Sequence, residues 1–159
     1  MHQEFVKQGV GMADKLNAGR PPAAAWMGYL GLLPFFAAAL GLWVGPAWFA
    51  GVLLAYGAVI LSFVGAIQWG LASSAADPRA DAFYASVVPA LVAWLALLLP
   101  AWLALPMLAL GFVVWRIWEG LNGLSMPRWL RRLRTVLTIG AVISLLGGWL
   151  ALLPITGKG

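Results

Sequence analysis

The charged positions along this chain are sparse, and they leave three long runs free of Asp, Glu, Lys and Arg: 21–76, 82–115 and 135–157. A helix needs about 20 apolar residues to cross roughly 30 Å of hydrocarbon, so each run is a ruler length. The first run holds two spans, near 24–44 and 48–71, divided at Gly45-Pro46, a strong turn signal. The second run holds 34 residues, about 50 Å as one helix, which overshoots a bilayer. Pro100 and Pro106 offer the break, and the pattern predicts a tight hairpin with spans near 79–99 and 103–119. The third run supplies one span, near 133–153.

Charge sorts these spans into a topology. With five spans, Lys7, Lys15, Arg20, Arg79, Arg116, Arg128, Arg131, Arg132 and Arg134 share one membrane face, and Lys158 alone lies on the other. A four-span arrangement would put the cluster from Arg128 to Arg134 opposite the N-terminal tail and abolish this positive-inside bias. The expectation is an all-α, polytopic membrane protein, a single five-helix bundle, with its N-terminus cytoplasmic and its C-terminus periplasmic. Its parts are a polar tail over 1–22, a transmembrane domain over 23–155 and a short tail over 156–159. The expected location is the bacterial inner membrane, spanned several times. Phe5, Val6, Val10 and Leu16 form at most a weak amphipathic surface helix, because Gly9 and Gly11 oppose it. The order of a signal peptide is missing from this tail.

Composition agrees and removes much chemistry. Of 159 residues, 63% are hydrophobic and 9% charged, too few charges to cover a water-facing surface. Cys is absent, which excludes disulfides, thiol nucleophiles and Cys-ligated metals. The single His is His2, so a bis-His haem cannot be built. No catalytic constellation and no metal ligand set is present, and no enzyme activity is expected. No cofactor is predicted, although a bound lipid or quinone suits such a chain.

The candidate binding residues follow from packing and from polarity. Ala58, Ser62, Ala66 and Gly70 recur every four residues, as do Ala37, Gly41 and Gly45, and Gly140, Ser144 and Gly148. Such strips let helices approach closely, either within the bundle or against a partner helix, a second copy included. Gln68 beside Trp69 is either interhelical glue or a hydrogen-bond anchor for a polar ligand head. Eight of the ten Trp fall at expected headgroup depths, Trp26, Trp69, Trp115, Trp118 and Trp129 at one face and Trp43, Trp48 and Trp102 at the other. Trp94 and Trp149 sit deeper and are candidates for an interior, Trp94 with Ser62, Gln68 and Trp69 forming the ligand or helix-contact set. Pro34 and Pro89 lie within spans, where each frees a backbone carbonyl. Asp77-Pro78 reads as a helix start, Asp77, Arg79 and Asp81 as a capped loop, and Arg116 with Glu119 as an i, i+3 pair. Arg128, Arg131, Arg132 and Arg134 set topology and offer contacts to an anionic phospholipid such as cardiolipin, or to an acidic partner surface. A nucleic-acid partner is not expected for so short a cluster at a bilayer.

Several segments together resemble a known family. They are Leu30-Gly31-Leu32-Leu33-Pro34-Phe35, the run from Ile60 to Gly70, Tyr84 with Ser86-Val87-Val88-Pro89 and Ala93-Trp94, and the run from Pro127 to Arg134 with Leu137-Thr138. Their order and content are similar to the DUF3429 family, small multi-span proteins of proteobacteria related to the mitochondrial transmembrane protein 69. The resemblance covers roughly residues 24–145, and implies membrane placement without an activity. In that family's pattern the Gln68 position is often His and the Leu130 position often Tyr, so a proton or metal role for Gln68 is not implied. The tryptophan-rich translocator proteins share the size and the Trp content, but their motifs are absent here.

The functional expectation is therefore a non-enzymatic accessory or assembly partner of a larger membrane complex. The alternative is a binding protein for an apolar ligand, a quinone, tetrapyrrole or lipid, held within the bundle.

Overall fold

The computed structural model describes residues 22–74, 80–122 and 128–153. All its elements are helices: α1 (Pro22–Leu30), α2 (Leu33–Val44), α3 (Phe49–Ser73), α4 (Ala80–Leu97), α5 (Ala101–Asn122) and α6 (Arg128–Leu152). α1 and α2 together make the first span, so five segments are long and apolar enough to cross a membrane. The N-terminal tail, Asp77-Pro78-Arg79, Pro127 and the C-terminal tail with Lys158 lie outside the described residues.

The spans alternate in direction, which gathers the starts of α1 and α6 and the ends of α3 and α5 at one end of the bundle. We call it the basic end, because Arg116, Arg128, Arg131, Arg132 and Arg134 stand there. One apolar cluster runs through the middle, with Phe35, Leu53, Leu61, Leu105, Leu108 and Leu145 almost wholly buried. Most large side chains point outward instead, Leu40, Val59, Phe63, Leu110 and Ile143 among them, as lipid requires.

Proline decides three local features. Gly31 and Leu32 interrupt the first span, because Pro34 has no N–H to return to the Leu30 carbonyl. Pro34 thus begins α2 rather than bending a continuous helix, and the Tyr56 hydroxyl donates to the Gly31 carbonyl at the break (2.8 Å). The hairpin turns at Leu98 to Pro100 alone, with the Leu98 and Leu99 N–H groups bonded to the Leu95 and Ala96 carbonyls. Pro106, expected to share in that break, lies inside α5. The helix survives because the indole N–H of Trp149 donates to the Trp102 carbonyl (2.9 Å), the acceptor four residues before Pro106.

The small-residue strips divide. Gly140, Ser144 and Gly148 are all buried, and a Cβ at Gly140 would strike Leu32. On α3 the buried face is Gly57, Leu61, Gly65, Gln68 and Ala72, whereas Ala66 and Gly70 face outward. Gly65 is where α3 and α4 come closest, since a Cβ there would collide with the Ser86 carbonyl and the Pro89 ring. Gly41 is buried against the Phe49 ring, while Ala37 and Gly45 are exposed.

Candidate functional site

The basic end buries charge. Arg134 Nη2 lies 2.7 Å from Glu119 Oε1, and the two side chains are 7% and 5% exposed. Arg116, one turn before Glu119 on α5, does not pair with it. Its guanidinium instead donates to the Thr135 hydroxyl on α6 (2.8 and 3.2 Å). The expected intrahelical pair is thus replaced by an interhelical one, because α6 presents Arg134 to the buried side of α5. Arg134 accordingly does not share the membrane surface with Arg128, Arg131 and Arg132, which are exposed.

Other polar groups occupy the same depth. Leu61 touches α5 at Gly111, and α3 and α5 run in the same direction. Gln68 lies seven residues beyond Leu61 and Glu119 eight beyond Gly111, so both stand about 11 Å further toward the basic end. Gln68 is 0% exposed, and neither its amide nitrogen nor its amide oxygen has a hydrogen-bond partner among the described residues. Arg134 Nη1 is likewise buried without a partner among the described residues, whereas the Trp115 indole N–H is directed at the Glu119 carboxylate. Trp115, expected near the inner boundary, is buried within the bundle and stacks on Trp118, with ring centroids 4.8 Å apart. Unpartnered buried polar atoms are few in stable proteins, and here three of them share one level of one bundle.

Next to this layer is a cavity of about 180 Å³. It lies behind the break in the first span, between Gly31 and Leu32 on one side, Val64 and Ile67 of α3, and Arg134 and Thr138 of α6. Phe35 and Phe112 close its inner wall, and exposed Met27 and Phe63 stand at its rim. It therefore opens sideways, toward the surface that lipid covers. Arg134 is its one charged lining residue, and Arg134 Nη1 is the nitrogen without a partner.

The residues proposed from sequence are dispersed. Gln68 is buried but does not line this cavity. Trp69 and Trp94 are 50% and 57% exposed and face outward, Trp69 meeting Phe83 edge-on at 5.0 Å. Ser62 returns its hydroxyl to the Ala58 carbonyl of its own helix (2.9 Å), which leaves it no donor for a ligand. Trp149, the other deep indole, closes the backbone gap at Pro106. The Arg134–Glu119 pair and the Gly31 break were not read as a site. Their signal was present: Glu119 is the one acid between Asp81 and the C-terminus, and an acid in a span calls for a basic partner at its own depth.

With this geometry in hand, comparison with known proteins is informative. A family model described as a protein of unknown function, DUF3429, matches residues 20–150. The chain belongs to the DUF3429 family. It is also 38% identical over 137 residues to transmembrane protein 69 of Xenopus tropicalis, a match that covers 80% of this chain and 53% of that protein. The chain thus spans about half the length of this curated relative. No solved structure matches it. The family assignment makes this a membrane protein of the DUF3429 type, and the likeness to transmembrane protein 69 agrees with its membrane-spanning helices.

Proposed function

We propose that this protein is a non-enzymatic binding protein for a neutral, carbonyl-bearing apolar ligand of the quinone class. The observation that carries the reading is Arg134, a buried, ion-paired arginine and the one charged residue lining an apolar cavity. Its charge already faces Glu119, so the remaining donor suits a neutral acceptor better than a second anion. The Thr138 hydroxyl on the same wall adds a second polar group. A volume of about 180 Å³ is below the roughly 300–1,000 Å³ of sites that enclose whole drug-sized ligands. It takes one substituted ring, with any tail trailing past Met27 and Phe63 into lipid, and it is too small for a tetrapyrrole. The proposed location is a bacterial cytoplasmic membrane with the basic end in the cytoplasm, as the distribution of Lys and Arg favours.

The test is extraction of the purified protein for quinones, followed by titration of a short-chain quinone against Trp fluorescence. Wild type should bind one equivalent. Ile67→Trp, which fills the cavity and leaves the Arg134–Glu119 pair in place, should abolish binding while the helical spectrum is kept. Equal binding by that variant would defeat the assignment.

A second reading, assembly with another membrane helix, is favoured by the outer strip of α3. Ala66 is exposed there, and Gly51 and Gly70 have open space around them. The chain has no Cys, so Gly70→Cys provides a single cross-linking site in native membranes. A reproducible cross-linked partner supports the accessory role, and a clean monomer counts against it.

A further inference from the structure

The start of α6 carries a second feature, independent of the cavity behind Gly31. Arg128, Arg131 and Arg132 are exposed, and none of them pairs with a carboxylate among the described residues. With Arg116 and Thr135 they line a cleft of about 330 Å³ between α5 and α6. Four arginines therefore line one space with no acid in its wall. Glu119, the nearest acid on these helices, faces Arg134 instead. Arg128 and Arg132 also line a second, neighbouring cleft of about 510 Å³. That cleft runs from the two arginines past Trp129 and Tyr29 to Leu133 and Val136. The two spaces share Arg128 and Arg132 and differ in their remaining walls, one basic and hydroxylic, the other aromatic and aliphatic.

We infer that the start of α6 is a binding site for an anionic phospholipid whose headgroup carries more than one negative charge. Its phosphate groups lie among Arg116, Arg128, Arg131 and Arg132, and its glycerol and first acyl carbons follow Trp129, Leu133 and Val136 toward the hydrocarbon. Three observations favour this occupant. Basic side chains at a helix start oppose the helix dipole, and an anion there relieves both the dipole and their mutual repulsion. Four cations exceed what a single phosphodiester charge offsets, which favours phosphatidate or a diphosphate lipid over phosphatidylglycerol. The apolar branch of the paired clefts suits a lipid and gives nothing to inorganic phosphate.

The full chain, purified in mild detergent, is examined by native mass spectrometry with added dioleoylphosphatidate, tetraoleoyl cardiolipin, dioleoylphosphatidylglycerol or dioleoylphosphatidylcholine. One molecule of phosphatidate or cardiolipin per chain should be retained, phosphatidylglycerol should bind about tenfold more weakly, and phosphatidylcholine should be lost. The triple variant R128Q/R131Q/R132Q should lose the preference for multiply charged lipids. Because these arginines also direct insertion, Val136→Trp, which blocks the apolar branch and keeps every charge, is the second variant. It should weaken phosphatidate binding about tenfold and leave pyrophosphate binding unchanged. Equal retention of phosphatidylglycerol and phosphatidate, displacement of the lipid by pyrophosphate at equal concentration, or wild-type affinity in Val136→Trp would each overturn the assignment.

Discussion

The two ends of the bundle treat polar side chains differently. At the end away from the basic cluster, indole donors find carbonyls: Trp149 bonds the Trp102 carbonyl and Trp43 the Gly147 carbonyl (3.1 Å). At the basic end, both polar atoms of Gln68 and one nitrogen of Arg134 are buried without a partner among the described residues. The first arrangement repairs the backbone and ties α5 and α2 to α6. The second leaves hydrogen-bonding capacity unspent inside an apolar bundle, which costs stability and is retained where a site needs it. One end ties its helices together through indole donors, and the other keeps polar capacity beside the cavity on which the proposed binding role rests.

Substitutions can break that contrast in order of size. The largest effect should come from Glu119→Gln, which strands Arg134 in the bundle and should cost about 3–5 kcal/mol. The double variant Glu119→Gln with Arg134→Gln should recover much of the loss, and reversible unfolding in mixed detergent micelles measures both. Gly65→Val comes next, at about 1–3 kcal/mol, because its side chain must displace the Ser86 backbone and the Pro89 ring. Gly70→Val, one turn further along the same helix with open space around it, should change stability by less than about 0.5 kcal/mol. This pair tests whether the packing face of α3 is the Gly65 face. Trp149→Phe should cost about 0.6–1.7 kcal/mol, the usual range for an interhelical hydrogen bond in a membrane. Gln68→Leu should be neutral or slightly stabilising, since it removes a buried amide with no partner and keeps the volume similar. A marked loss of stability in Gln68→Leu would mean that the basic end is as fully satisfied as the other, and the contrast would fail.

Sequence patterning was most informative where one-dimensional spacing is the physical variable. Span lengths follow from the hydrocarbon thickness, so the uncharged runs located five helices whose limits match the observed ones within a few residues. Gly45-Pro46 and Pro100 were readable as turns because Pro cannot donate to a continuing helix. Pro106 carries the same local signal, yet α5 continues through it. The difference is Trp149, 43 residues later, whose indole serves the freed carbonyl, and no local reading of Pro106 contains that donor.

The candidate site shows the same division. Sequence alone determined the solvent, the helical class, the number of spans and the segregation of basic residues, because each depends on which residues occur and how far apart they stand. Only the tertiary structure decided which face of each helix is inside. A four-residue repeat such as Ala58, Ser62, Ala66 and Gly70 describes a strip on a cylinder, and which strip is buried depends on the rotation that its neighbours impose. That rotation turned Ala66, Gly70, Trp69 and Trp94 outward, and Gln68, Glu119 and Arg134 inward. Together with the break at Gly31, it produced the cavity in which Arg134 stands. In lipid the apolar residues gain little by facing either way, so hydropathy cannot assign the inside; close approach and the few polar contacts do.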